Sequence, residues 1–181
     1  MAEQFPALTD GHIRFINNQN IYFTGTARSD GRVNVSPKGT DSLKVLSANR
    51  IVWQNLTGSG NKTAAHLLEN NRMTLMFCSF EKKKPLILRV YGTAQAVHPR
   101  DAAWQDYEAQ FAGNPGTRQF FTLDIGLVQT SCGFAVPLMD FVADRKTLEN
   151  WAEEQGREGI EAYWARKNAL SLDGFDTGIV E

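Results

Sequence analysis

The sequence predicts a mainly β protein with peripheral helices, folded as an antiparallel barrel. Three observations carry that expectation. Strand patterns dominate, and they do not alternate with long crossover helices as a doubly wound parallel sheet requires. Arg32 to Ser36 alternates polar and apolar residues, the period of a half-buried strand. The apolar run Met73 to Phe80 and the longer run Leu86 to His98 are separated by little more than the charged turn Glu81 to Lys84, which reads as an antiparallel hairpin.

In chain order, Phe5, Leu8, His12, Phe15 and Ile16 fall at helical spacing, interrupted by Gly11, and give a first short helix. Ile21 to Ala27 reads as a strand, followed by the turn residues Ser29, Asp30 and Gly31. The strand Arg32 to Ser36 is expected to stop at Pro37-Lys38-Gly39, and Asp41 to Ala48 to hold a connecting element. Arg50 to Asn55 is a strand with Ile51 and Trp53 on one face. The loop Thr57 to Asn61 then leads into a helix from Lys62 to about Asn70, with Asn61 as its N-cap. Gly92 marks a bulge in the second hairpin strand. Trp104, Tyr107 and Phe111 define one face of a helix from Pro99 to Phe111, expected to pack outside the barrel. Phe120 to Thr130 is a further strand, and Cys132 to Pro137 a compact segment of small residues. Leu148, Trp151 and Ala152 mark one C-terminal helix and Ile160, Tyr163 and Trp164 a second, within about 144–168. The acidic tail from Leu172 to Glu181 is expected to be poorly fixed.

No repeat, low-complexity block or linker divides the 181 residues, so 1–181 reads as a single domain with its own core. A net charge of −1 gives no basic excess for nucleic acid. The apolar runs fall short of the roughly 18 residues that span a bilayer. Met1 to Asp10 lacks the basic-then-apolar order of a secretory leader, and Cys78 and Cys132 have no metal-like spacing. Free thiols in a reducing cytoplasm are the expectation.

The stretch from Trp53 to Thr63 joins a strand end, a glycine-containing loop and a helix start. Ser59, Lys62 and Thr63 add side-chain donors to that helix start, a combination able to hold a phosphate. It does not follow the Walker spacing. A polar loop with an ordinary cap explains the same residues, and on composition alone that plainer reading weighs more. Arg32, Ser36, Lys38 and Arg50 lie near strand ends, where a barrel can bring them to one anion or leave them as solvated surface groups. Trp53 is either a core residue or a wall for a flat ring. His12, His66 and His98 are far apart and form no zinc pattern, and His66 sits among apolar helix residues. Neither Cys132 nor Ser131 has the setting of a nucleophile.

Four stretches together resemble the pyridoxamine 5'-phosphate oxidase-related, FMN-binding split-barrel superfamily: Gly31 to Gly39 (GRVNVSPKG), Asn49 to Phe77 (NRIVWQNLTGSGNKTAAHLLENNRMTLMF), Arg89 to Ala94 (RVYGTA) and Gln129 to Pro137 (QTSCGFAVP). The resemblance implies a split barrel that forms a homodimer, with FMN in clefts between the subunits. It implies that Asn34, Val35 and Ser36, with Lys38 beyond, run beside the flavin, and that Trp53, Gln54 and Asn55 form the next strand end. Ser59, Asn61, Lys62 and Thr63 match the phosphate-holding turn, with Arg50 as a further anion candidate. Gln129, Thr130 and Ser131 are placed to reach the flavin of the partner subunit.

The chain departs from the true oxidase in two places. An adjacent Arg-Lys pair there is displaced or replaced here by Lys62, Thr63 and Ala64, and the tail lacks a C-terminal arginine cluster. The function implied is therefore an FMN-dependent oxidoreductase acting on a small molecule other than pyridoxamine 5'-phosphate. A non-catalytic flavin-binding, storage or sensing protein shares every motif, as does a deazaflavin- or haem-using relative.

Overall fold

The computed structural model describes residues 2–180; Met1 and Glu181, the two ends of the expected domain and the last residue of its acidic tail, lie outside the described residues. The strands are β1 (Glu3–Phe5), β2 (Tyr22–Thr26), β3 (Asn34–Lys38), β4 (Leu43–Ser47), β5 (Arg50–Leu56), β6 (Arg72–Cys78), β7 (Leu86–Val97) and β8 (Thr117–Cys132). The helices are α1 (Asp10–Asn17), α2 (Lys62–Leu67), α3 (Trp104–Glu108) and α4 (Thr147–Tyr163), followed by a π-helical turn, Trp164–Asn168. The strands form one sheet in the order β3-β2-β6-β7-β8-β5-β4, with β1 added to β8. Every pairing is antiparallel, as the alternation and the hairpin predict.

The sheet curls around stacked aromatic rings. Trp53 and Phe121 stack with centroids 4.6 Å apart, and Tyr22 and Phe77 stack at 5.7 Å. Trp53, Phe77 and Phe121 are buried completely or nearly so, each contributing roughly 1.5–3 kcal/mol of transfer free energy. β5 differs from the one-faced strand expected. Ile51 to Asn55 are all buried, because α3 covers the second face. Trp104, Tyr107 and Phe111 pack there on Val52, Val97 and Phe120, so the helix lies outside the barrel as expected.

β7 and β8 shift register between Tyr91 and Gly92, at the glycine expected to mark a bulge. A Cβ on Gly92 would lie 2.0 Å from the Asp124 carbonyl oxygen, so only glycine lets the two backbones approach. Gly156, at φ 63°, breaks α4 into the two helices the sequence suggests.

Other boundaries move. Phe5 belongs to β1 rather than to the first helix, and Asp41 to Ala48 contains the strand β4. β3 continues through Pro37 and Lys38, which an edge strand allows because its outer side needs no N–H for the ladder. The helices α2 and α3 are shorter than their apolar spacing suggests. Asn61 makes no capping hydrogen bond with its side chain.

The described part of the tail is anchored, against expectation. Thr177 Oγ1 donates to the Asn168 carbonyl at 2.6 Å, and Arg100 donates to the carbonyls of Gly178 (2.5 Å) and Ile179 (3.4 Å). Asp173 pairs with Arg32, and the Arg28 guanidinium lies 4.0 Å from the centre of the Phe175 ring. Asp173, which looks solvated in sequence, is drawn in by an arginine of another loop, whereas Asp176 stays exposed and accepts from the Gly178 N–H. No helix among the described residues is long and apolar enough to cross a membrane.

Candidate functional site

The alternation of β3 turns Asn34, Ser36 and Lys38 to one side and leaves Val35 67% exposed on the other. Across from them, β5 ends in the loop Thr57 to Asn61, and α2 begins. Between the two lies a hollow of about 490 Å³. It is lined by Asn34, Ser36 and Lys38, by Asn55, and by Ser59, Asn61, Lys62 and Thr63, with Arg118 and Leu172. Eight of the residues singled out in the sequence thus surround one space.

A second hollow of about 460 Å³ adjoins it, sharing Pro37, Lys38 and Gly58 and lined also by Gln54, Ser42 and Phe111. A further hollow, about 600 Å³, lies elsewhere on the sheet, beside Gly25, Met73 and Tyr91, and none of the expected site residues lines it.

Asn34 Nδ2 donates to Thr63 Oγ1 (3.1 Å), and its Oδ1 accepts from Ser36 Oγ (3.2 Å), tying β3 to α2. Asn55 Nδ2 donates to Gln119 Oε1 (3.1 Å), and Gln54 Nε2 to Thr117 Oγ1 (2.7 Å). Both side chains are thereby fixed by the start of β8. Trp53 is core, with Lys38 Nζ 5.1 Å from its ring centre. His66 is fully buried, its Nδ1 3.0 Å from Thr26 Oγ1, and burial lowers its pKa. It packs the helix and does not line the hollow.

The electrostatics centre on a residue the sequence reading passed over. Arg118 is 2% exposed, at the start of β8. It donates to Asn168 Oδ1 (2.6 Å) and to the carbonyls of Gly58 (3.4 Å) and Gly60 (3.1 Å). Burial pushes its pKa down to about 10, so it stays cationic at neutral pH. Lys38 is pushed down to about 8, first by burial and then by the charge of Arg118. Among the described residues neither has a carboxylate within ion-pair distance. Arg118 Nε and both polar atoms of the Asn61 side chain are buried without a hydrogen-bond partner. Unpaired buried charge and unpartnered buried polar atoms are costly. An anion in the hollow can accept from Arg118 Nε and from Asn61 Nδ2, so the donor set fits a phosphate. No local pattern in the sequence marks Arg118, which stands in a strand that also carries Gln119 and Asp124 and whose partner Asn168 is distant in the chain.

Lys62 is engaged differently from expectation. Its Nζ lies 3.9 Å from Asp173 Oδ2, at the outer edge of an ion pair, and Asp173 also pairs with Arg32. Arg50 stands at the far end of β5, bonded to the Tyr107 hydroxyl (3.1 Å) and 3.5 Å from Asp124, away from the hollow. Gln129, Thr130 and Ser131 lie at the opposite end of β8 from Arg118. There Gln129 accepts from the Tyr91 hydroxyl (3.2 Å) and Ser131 from Arg89 (3.1 Å). Within one chain they do not join the site.

Comparison with known proteins gives a consistent picture. The sequence model of the pyridoxamine 5'-phosphate oxidase family matches residues 8–132. The pyridoxamine 5'-phosphate oxidase family protein ustO of Aspergillus flavus is 35% identical over 188 aligned positions, covering 94% of this chain and 75% of that protein. Among solved structures, a candidate pyridoxamine 5'-phosphate oxidase of Lactobacillus delbrueckii superposes with a TM-score of 0.54 at 20% identity, over 68% of this chain and 94% of its own. An FAD-binding protein of Mycobacterium smegmatis superposes with a TM-score of 0.50 at 14% identity, over 70% and 97% of the two chains.

Proposed function

The chain belongs to the pyridoxamine 5'-phosphate oxidase family and has its split-barrel fold, and from that premise we propose that it is an FMN-dependent oxidoreductase acting on a small molecule. The observation that carries the reading is the pair of cations, buried Arg118 and half-buried Lys38, lining a hollow with no carboxylate in its lining among the described residues. A flavin mononucleotide carries the dianionic phosphate that such a site stabilises. The adjoining hollow beside Gln54 offers further space for a ring system.

When bound, FMN supplies acceptance and release of a hydride or electrons. The side chains supply binding and orientation. Lys38, Arg118, Ser59 and Thr63 hold the phosphate, and Lys62 joins them when it leaves Asp173. Asn34, Ser36, Asn55 and Gln54 present fixed amide and hydroxyl groups to the remainder. In a homodimer, Gln129, Thr130 and Ser131 of the second subunit close the cleft, which accounts for their distance from the hollow within one chain. Cys78 and Cys132 are unbridged, in keeping with a cytoplasmic location.

Pyridoxamine 5'-phosphate is not the substrate we propose, because a second phosphate needs its own cations. Arg157 pairs with Glu161 on the surface of α4, and Arg166 is exposed beside Tyr163, so neither turns inward.

The absorption spectrum of the purified protein tests the cofactor. A flavin spectrum is expected; a haem or deazaflavin spectrum refutes FMN. Reduction by a nicotinamide, followed by reoxidation with repeated turnover, separates the enzyme from a flavin binder that does no chemistry. Aerobic turnover of pyridoxamine 5'-phosphate near one per second, an ordinary enzymatic rate, would overturn the substrate exclusion.

A further inference from the structure

The family match ends at residue 132, yet Arg118 is held by a residue well beyond it. Asn168 closes the π-helical turn and is fully buried. Its Oδ1 accepts from Arg118 Nη1 at 2.6 Å, and its Nδ2 donates to the Gly58 carbonyl at 3.0 Å. One amide therefore fixes both the cation and the loop that borders the hollow. Four residues earlier, Trp164 Nε1 donates to Thr57 Oγ1 at 2.8 Å, tying the same turn to the start of that loop. Thr177 holds the Asn168 carbonyl from the other side.

We propose that Asn168 is a positioning residue for an anion site, and that the segment Trp164 to Thr177 completes the pocket in this chain. The chemistry of the side chain decides the role. A buried arginine is ordinarily steadied by a carboxylate, which neutralises it. Asparagine offers the same acceptor geometry with no charge. Arg118 is aimed without being neutralised, and its positive charge stays available to a bound phosphate. The unpartnered Nε of Arg118 and the unpartnered amide of Asn61, which lines the hollow, are the groups left for that anion.

The choice of FMN as probe rests on the flavin reading above; inorganic phosphate is a second probe that does not. In N168D the carboxylate becomes the counter-ion of Arg118. FMN affinity should fall by more than about tenfold, in line with losing one charge-assisted contact. Riboflavin, which lacks the phosphate, should bind N168D as it binds the native protein. Inorganic phosphate should raise the melting temperature of the native protein and have little effect on N168D. N168A, which removes the aim without adding charge, serves if N168D does not fold, and should show the same phosphate-specific loss. Parallel losses for FMN and riboflavin mean a merely structural role and overturn the proposal, as does unchanged FMN affinity. A native protein that binds neither flavin overturns the flavin reading instead. The phosphate arm then decides this one, an equal rise in native and variant proteins, or none in either, counting against it.

Discussion

At the scale of single residues, Lys38 makes two pH trends run in opposite directions. Its folded pKa, about 8, lies below the ordinary value of 10.5 because burial disfavours the ammonium. The charged side chain is thus a burden on the empty fold at neutral pH. Between pH 8 and 10.5 the unfolded chain binds more protons than the folded one, so stability rises with pH across that window. The gain is on the order of 3 kcal/mol. Affinity for an anion runs the other way, falling as the ammonium is lost above pH 8. Denaturant melts of the empty protein and FMN titrations from pH 7 to 10 should show both slopes, and Lys38→Met should flatten both. Parallel slopes would remove Lys38 from the site. Asp173 acts from outside the lining of the hollow. Arg32 beside it holds its carboxyl below the usual range, so it remains an anion competing for Lys62. D173N should tighten FMN severalfold in titration, whereas weaker binding would mean that Asp173 aims Lys62 instead. The sequence made Lys62 legible and Arg118 not. Lys62 stands in a loop whose composition announces it, while the worth of Arg118 comes from Asn168, fifty positions away, and no local pattern encodes such a partner.

Among the elements, those whose signals are local were legible. The β6–β7 hairpin follows from two apolar runs and a charged turn, and the bulge from one glycine in a long strand. Gly92→Ala should cost about 2–4 kcal/mol, because the added Cβ meets backbone rather than a movable side chain. A denaturant midpoint unchanged from the native protein would show that the β7–β8 crossing relaxes freely. β1 was missed because three residues pairing with the end of β8 carry no periodicity of their own. The extent of α3 was overestimated because Phe111 shares the apolar patch on Phe120 from outside the helix; packing partners need not share secondary structure. The tail was misread for a related reason, since Asp173 is paired with an arginine distant in sequence.

For the whole molecule, the fold class was legible and the assembly was not. One chain carries both halves of the proposed cleft, Arg118 at one end of β8 and Gln129 to Ser131 at the other, and the homodimer proposed above would unite them. The segment after β8 also leaves Phe134, Leu138, Met139, Phe141 and Val142 more than half exposed, an apolar stretch suited to burial between subunits. Light scattering at micromolar concentration should therefore give twice the 20.2 kDa of one chain. A monomer would leave those residues without a role at the site. The tie between Asn168 and the Gly58 loop also bears on biosynthesis. Everything else that lines the anion pocket up to Arg118 is synthesised before the residue that aims it. A nascent chain holding the whole barrel still lacks the residue that aims Arg118, so on the flavin reading proposed above ribosome-stalled chains truncated before Asn168 should emerge colourless.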